Sequence, residues 1–95
     1  MINNIKKFYE NLSNDYIKIN NVDVVNFCDL YLIRMSIEIP RLNLILNYGT
    51  SIPYSTNRLT KKLKTSLIDS LKLRINNELL YVKLNIIDEL GDKYE

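Results

Sequence analysis

Leu30-Tyr31-Leu32-Ile33-Arg34-Met35-Ser36-Ile37-Glu38-Ile39, followed by Pro40-Arg41 and then Leu42-Asn43-Leu44-Ile45-Leu46-Asn47-Tyr48, is the stretch whose reading decides the fold. Two periods compete in and just before it. Val25, Cys28, Leu32, Met35 and Ile39 recur at helical spacing, whereas Ile33, Met35, Ile37 and Ile39 alternate strictly with Arg34, Ser36 and Glu38. The β-branched content is high and no Ala, Gln or Lys favours a helix there, so a strand from about Leu30 is preferred. Leu42, Leu44, Leu46 and Tyr48 alternate again, which makes a hairpin across Pro40-Arg41. Proline cannot supply the positive φ of a tight primed turn, so the connection should be wide or bulged. The competing reading makes Pro40 the first residue of a short helix closed by Gly49.

Working outward, Ile5, Phe8, Tyr9 and Leu12 fall at helical spacing and predict an amphipathic helix over residues 2–14. Tyr16 to Ile19 reads as a short strand ending in a turn at Asn20-Asn21. On the other side, Gly49 to Ser55 reads as a loop, and Ser55, Thr56 and Asn57 are candidate caps for a helix over residues 57–75. Its stripe of Leu59, Leu63, Leu67 and Leu71, widened by Ile68 and Ile75, is expected to pack on the sheet, and Asn76-Asn77 to end it. Leu80, Val82, Leu84 and Ile86 alternate with Tyr81, Lys83 and Asn85, which predicts a last strand; residues 88–95 read as a frayed acidic tail. The expected fold is therefore α+β, one small domain over residues 1–95, with two helices on one face of a small antiparallel sheet in the order α-β-β-β-α-β. It becomes mostly α if residues 22–48 are helical.

The 95 residues include no His, Ala, Gln or Trp, one Cys and two Gly. Most neutral-pH catalysis uses His, a paired Cys, a glycine-cradled phosphate or a metal cluster, so the expectation is a binder with no catalytic residue, cofactor or metal site. Thirteen Asn, thirteen Ile and seven Tyr use AT-rich codons and point to an AT-rich coding source. Cys28 stands alone, so no intramolecular disulfide can form, and its neighbours Phe27, Leu30 and Leu32 predict a buried thiol. The first ten residues hold none of the roughly 7–15 apolar residues in a row that a signal peptide needs. No apolar run exceeds four residues, as at Leu30 to Ile33, so the expected location is the cytoplasm, with no membrane partner.

Charge is segregated along the chain. Residues 1–57 carry five basic and five acidic groups, residues 58–85 seven basic and two acidic, and residues 86–95 one basic and four acidic. Arg58, Lys61, Lys62 and Lys64 crowd the expected start of the long helix, where the macrodipole is already positive. Arg58, Lys61, Lys62 and Lys72 are therefore candidate contacts to phosphates or an acidic protein, although Asp69 dilutes the same face and a plain solvated lysine face is the even alternative. Tyr54 and Tyr81 are the candidate exposed aromatics, because tyrosine favours interfaces.

The functional expectation is a non-enzymatic protein-binding inhibitor or modulator from a phage, virus or mobile element, directed at host nucleic-acid machinery in the manner of anti-CRISPR proteins. The alternatives are a small nucleic-acid-binding protein using the basic helix, and a virion or assembly subunit. A homodimer is expected, because a chain this short buries a limited core.

Overall fold

Residues 30–39 form the central strand. In the computed structural model, which describes the backbone of residues 1–94 and the side chains through residue 80, the chain divides into two units, Met1–Thr60 and Lys61–Glu95. The first holds α1 (Ile2–Glu10) and three strands, β1 (Lys18–Phe27), β2 (Leu30–Ile39) and β3 (Leu44–Pro53); the second is the helix α2 (Lys61–Tyr94). The strands form one antiparallel sheet in the order β1-β2-β3, so the fold is α+β.

The alternation in β2 does what its pattern predicts. Tyr31, Ile33, Met35, Ile37 and Ile39 are buried, and Leu46, Tyr48 and Ile52 of β3 join them with Ile19 and Val24 of β1. Ile5 and Tyr9 of α1, which contacts β1, are also buried. Each fully buried Ile contributes about 1.5–3 kcal/mol. The β2–β3 hairpin satisfies both readings of Pro40 in part. Its connection is a short 3-10 turn, Pro40–Leu42, with proline in the first turn, but Asn43 at φ 50 closes it rather than Gly49. The Asn43 N–H donates to the Pro40 carbonyl at 3.1 Å.

Several expectations are corrected. The first helix ends at Glu10, and β1 runs through Asn20-Asn21 instead of turning there. Its register jumps from Asn20 opposite Ser36 to Asp23 opposite Arg34, so Asn21 and Val22 bulge, with Asn21 at φ 56. The turn into β1 lies earlier, where the Asn14 side-chain oxygen accepts from the N–H groups of Tyr16 and Ile17 at 2.8 and 3.0 Å and Ser13 Oγ accepts from Ile19 at 3.0 Å. Asparagine and serine favour such local turns.

Cys28 is exposed, not buried. Phe27 pairs with Leu30, which leaves Cys28-Asp29 as a two-residue turn with Cys28 at φ 54. Local apolar neighbours could not reveal that the thiol sits at a hairpin tip.

The segment expected to be a loop from Gly49 is strand as far as Pro53. Tyr48, Thr50 and Ile52 continue the alternation, and Gly49 falls on the outer face opposite Arg34. Pro53 is tolerated because β3 is an edge strand.

The helix α2 begins at Lys61, so Ser55, Thr56 and Asn57 do not cap it, and it passes Asn76-Asn77 without ending. The strand expected from residue 80 is helix, and so is the acidic segment through Tyr94. Ile75, Leu79, Val82 and Ile86 also recur at helical spacing, neither Gly nor Pro follows the asparagines, and Arg74 bridges to Glu78 one turn on at 2.9 Å. Leu67, Leu71 and Ile75 form the buried stripe of this helix.

Two outcomes follow for stability. A non-glycine residue at positive φ costs roughly 1–2 kcal/mol, offset in part by glycine's entropy, so Cys28→Gly should raise unfolding free energy by about 0.5 kcal/mol in urea titration. The Tyr9 hydroxyl is fully buried and finds no hydrogen-bond partner among the described residues. Removing an unsatisfied buried hydroxyl with Tyr9→Phe should stabilise by about 1 kcal/mol. Burial, with Tyr48 nearby, raises the Tyr9 pKa well above its ordinary 10.0. In the unfolded chain it ionises near that ordinary value. Stability is thus full below about pH 10 and falls as pH rises beyond it, and the Phe variant should show a shallower alkaline decline.

Candidate binding surface

Antiparallel register places the outer-face residues of the three strands in rows. From one end these are Lys18-Glu38-Ile45, Asn20-Ser36-Asn47, Asp23-Arg34-Gly49, Val25-Leu32-Ser51 and Phe27-Leu30-Pro53. The face is thus charged and polar at one end, Ile45 excepted, and apolar at the end carrying the Cys28-Asp29 turn. Phe27 is 62% exposed, and Val25 and Leu30 are about two-fifths exposed beside it.

Between the two ends stands Arg34. Its guanidinium meets Asp23 at 3.4 Å, a loose pair with the arginine side chain 76% exposed. Pairs of this kind contribute about 0–1 kcal/mol, so Arg34 can exchange Asp23 for another acceptor at little cost. Gly49, directly opposite, leaves the aliphatic stem of Arg34 uncovered. A groove of about 480 Å3 follows, lined by Asn21, Asp23, Arg34, Ser36, Asn47 and Gly49 among others. Exposed aromatic and aliphatic groups beside an arginine, rimmed by amides and hydroxyls, are the ingredients of a protein contact.

The residues singled out from sequence are dispersed. Tyr54 is half exposed, its ring packed at a tilt of 42° against Tyr31 with centroids 5.0 Å apart, and its N–H donates to the Asp29 carbonyl at 2.8 Å. It therefore stands at the same end of the sheet as Phe27. Arg58 is exposed but precedes α2 instead of lying on it, which corrects its placement on the helix. Lys61 and Lys62 are exposed in the first turn of α2, which contains no acidic residue. Lys72 is exposed about 16 Å further along the helix, beyond exposed Asp69. Tyr81 is in the helix, not on a strand, and its side chain lies outside the described residues. Among the described residues no three carboxylate or cysteine side chains come together as a metal site would need.

Sequence reasoning missed Val25, Phe27, Leu30 and Arg34. One signal was present. The uninterrupted apolar run Leu30 to Ile33 puts apolar groups on both faces of a strand, and only one face is needed for the core.

Compared with known proteins, the chain matches no family model and no curated protein, and no solved structure matches it.

A side chain at Gly49 would meet only ordinary contacts, 3.6 Å to the Ile33 carbonyl oxygen and 3.9 Å to Arg34 Cγ. Gly49→Thr should therefore stabilise the sheet by about 0.5–1 kcal/mol in urea unfolding while partly filling the groove. A loss of stability would show that the strand is strained at Gly49.

Proposed function

We propose that this chain is a protein-binding module that docks through the outer face of its sheet. The observation that carries the reading is the cluster of Val25, Phe27 and Leu30 on paired strands, exposed beside Arg34. A phenylalanine kept 62% in water gains little for folding, whereas burying the rest of it against a partner gains about 1–2 kcal/mol. Charge indicates the class of partner. Lys61, Lys62 and Lys64 oppose the helix dipole, and an acidic surface on the partner would offset that cost. The module then acts as an inhibitor or modulator that occupies a surface of a nucleic-acid-processing complex, consistent with an AT-rich mobile-element source. The second reading, direct nucleic-acid binding, is favoured by the same acid-free first turn.

Two variants separate these readings. Phe27→Asp should keep the circular dichroism and melting of the wild type and weaken partner capture from source cells by about thirtyfold or more, the loss expected at an interface anchor. Lys61→Glu with Lys62→Glu should leave stability equal or slightly higher, since acids suit a helix N-terminus, and weaken the same complex in a salt-dependent way. Capture unchanged by Phe27→Asp would remove the sheet-face reading. Affinity for duplex or single-stranded nucleic acid with a linear fall of log K against log salt would favour the second reading.

A further inference from the structure

The two edges of the sheet are built differently. β1 carries Lys18 and Asp23 and is broken by the bulge between Asn20 and Asp23, with Asn21 in the left-handed region. Charges and bulges are the devices by which edge strands avoid pairing with another chain. β3 has neither. Its ten residues, Leu44–Pro53, contain no charge, and its register with β2 runs unbroken from Leu44 opposite Ile39 to Pro53 opposite Leu30. Proline enters only as its last residue. Among the described residues no strand covers the other edge of β3. An unbroken, uncharged edge of this length, about twice the usual strand, presents a row of outward N–H and C=O groups as a template.

We propose that β3 pairs antiparallel with the β3 of a second copy, about a two-fold axis at Gly49, so that two three-stranded sheets become one of six strands. The sequence of β3 is complementary to itself in that register. With Gly49 opposite its own copy, Asn47 faces the second copy's Ser51 and Ile45 faces its Pro53 on the outer side. On the inner side Leu46 faces Ile52 and Tyr48 faces Thr50. Every pair keeps inner with inner and outer with outer, because the positions in each pair differ by an even number. No charge meets a like charge, which is the commonest obstacle to self-pairing. Glycine at the axis is the residue that asks least room where a strand meets its own image. Ile45, 69% exposed in the single chain, gains a neighbour.

The contact is isologous and therefore closes at two copies. Growth into a fibre is blocked because the outer edges of the six-stranded sheet are then both β1, with its charges and bulge. Edge pairing leaves both outer faces open, so it is independent of the binding reading above and would double the number of faces presented.

The test is sedimentation equilibrium in reductant, which keeps the exposed Cys28 from cross-linking copies. Wild type should show a concentration-dependent monomer–dimer equilibrium. Asn47→Lys with Ser51→Lys places lysine opposite lysine twice and should raise Kd by about tenfold. Asn47→Lys with Ser51→Glu places opposite charges at the same two points and should bind at least as tightly as wild type, less so in high salt. Both positions are exposed, and melting by circular dichroism checks that each variant folds. Hydrogen exchange provides a readout that needs no variant: amides of β3 should gain protection as concentration rises, and those of β1 should not. A monomer up to millimolar concentration overturns the proposal. So does a dimer with the same Kd in both charge variants, or one abolished by Phe27→Asp, which would place the contact on the sheet face.

Discussion

The inner face of β2 is the constraint on which the rest of the sheet depends. As the middle strand it must satisfy both neighbours through backbone hydrogen bonds while burying Ile33 and Ile37 completely. A slip of one residue in either pairing would bring outer-face residues such as Arg34 and Glu38 inward and expose the isoleucines, at several kcal/mol each way. Register is thus fixed by burial on one face. The bulge in β1 follows from the same demand. Ile19 and Val24 are an odd number of residues apart, so a regular strand would put them on opposite faces. Two residues, Asn21 and Val22, set against one allow both to reach the core.

Once the inner face is committed, the outer face has no folding task, and its composition becomes informative. It grades from Lys18 and Glu38 at one end to Phe27 and Leu30 at the other, with Arg34 and Gly49 between. The apolar end is joined to the body of the sheet by more than the ladder. The Tyr54 N–H donates to the Asp29 carbonyl and the Tyr54 ring packs at a tilt against Tyr31, which hold the turn at Cys28-Asp29 against the end of β3. A hairpin tip tied down in this way presents Phe27 from a fixed platform, and a fixed platform lowers the entropy lost on binding.

The helix α2 shows how local charge and local stability disagree. Three lysines in its first turn, with no acid among them, work against the dipole, while the pair Arg74–Glu78 supports the helix across Asn76-Asn77. Dipole effects are worth about 0.3–1 kcal/mol each and are screened by salt, whereas burial of Leu67, Leu71 and Ile75 contributes about 1.5–3 kcal/mol per side chain. The apolar stripe wins, and the lysines remain as a charged turn.

The sequence by itself determined the α+β class, the position of β2, the β2–β3 hairpin at Pro40 and the leucine stripe of α2; in β2, where two periods compete, the β-branched content decided for strand. It also placed Lys61, Lys62 and Lys72 correctly on an exposed helix face. What it could not determine depends on pairing between distant residues. The bulge at Asn21-Val22 exists only because β2 fixes what β1 must bury, and the strand character of Gly49 to Pro53 exists only because β2 pairs that far. Cys28 turned outward for the same reason. Past residue 79 the two periods coincide in the sequence, and continuity with the helix before it, which alternation cannot register, decided for helix. The candidate surface was least legible of all, because a residue becomes an outer-face residue only when tertiary packing has chosen which face is the core.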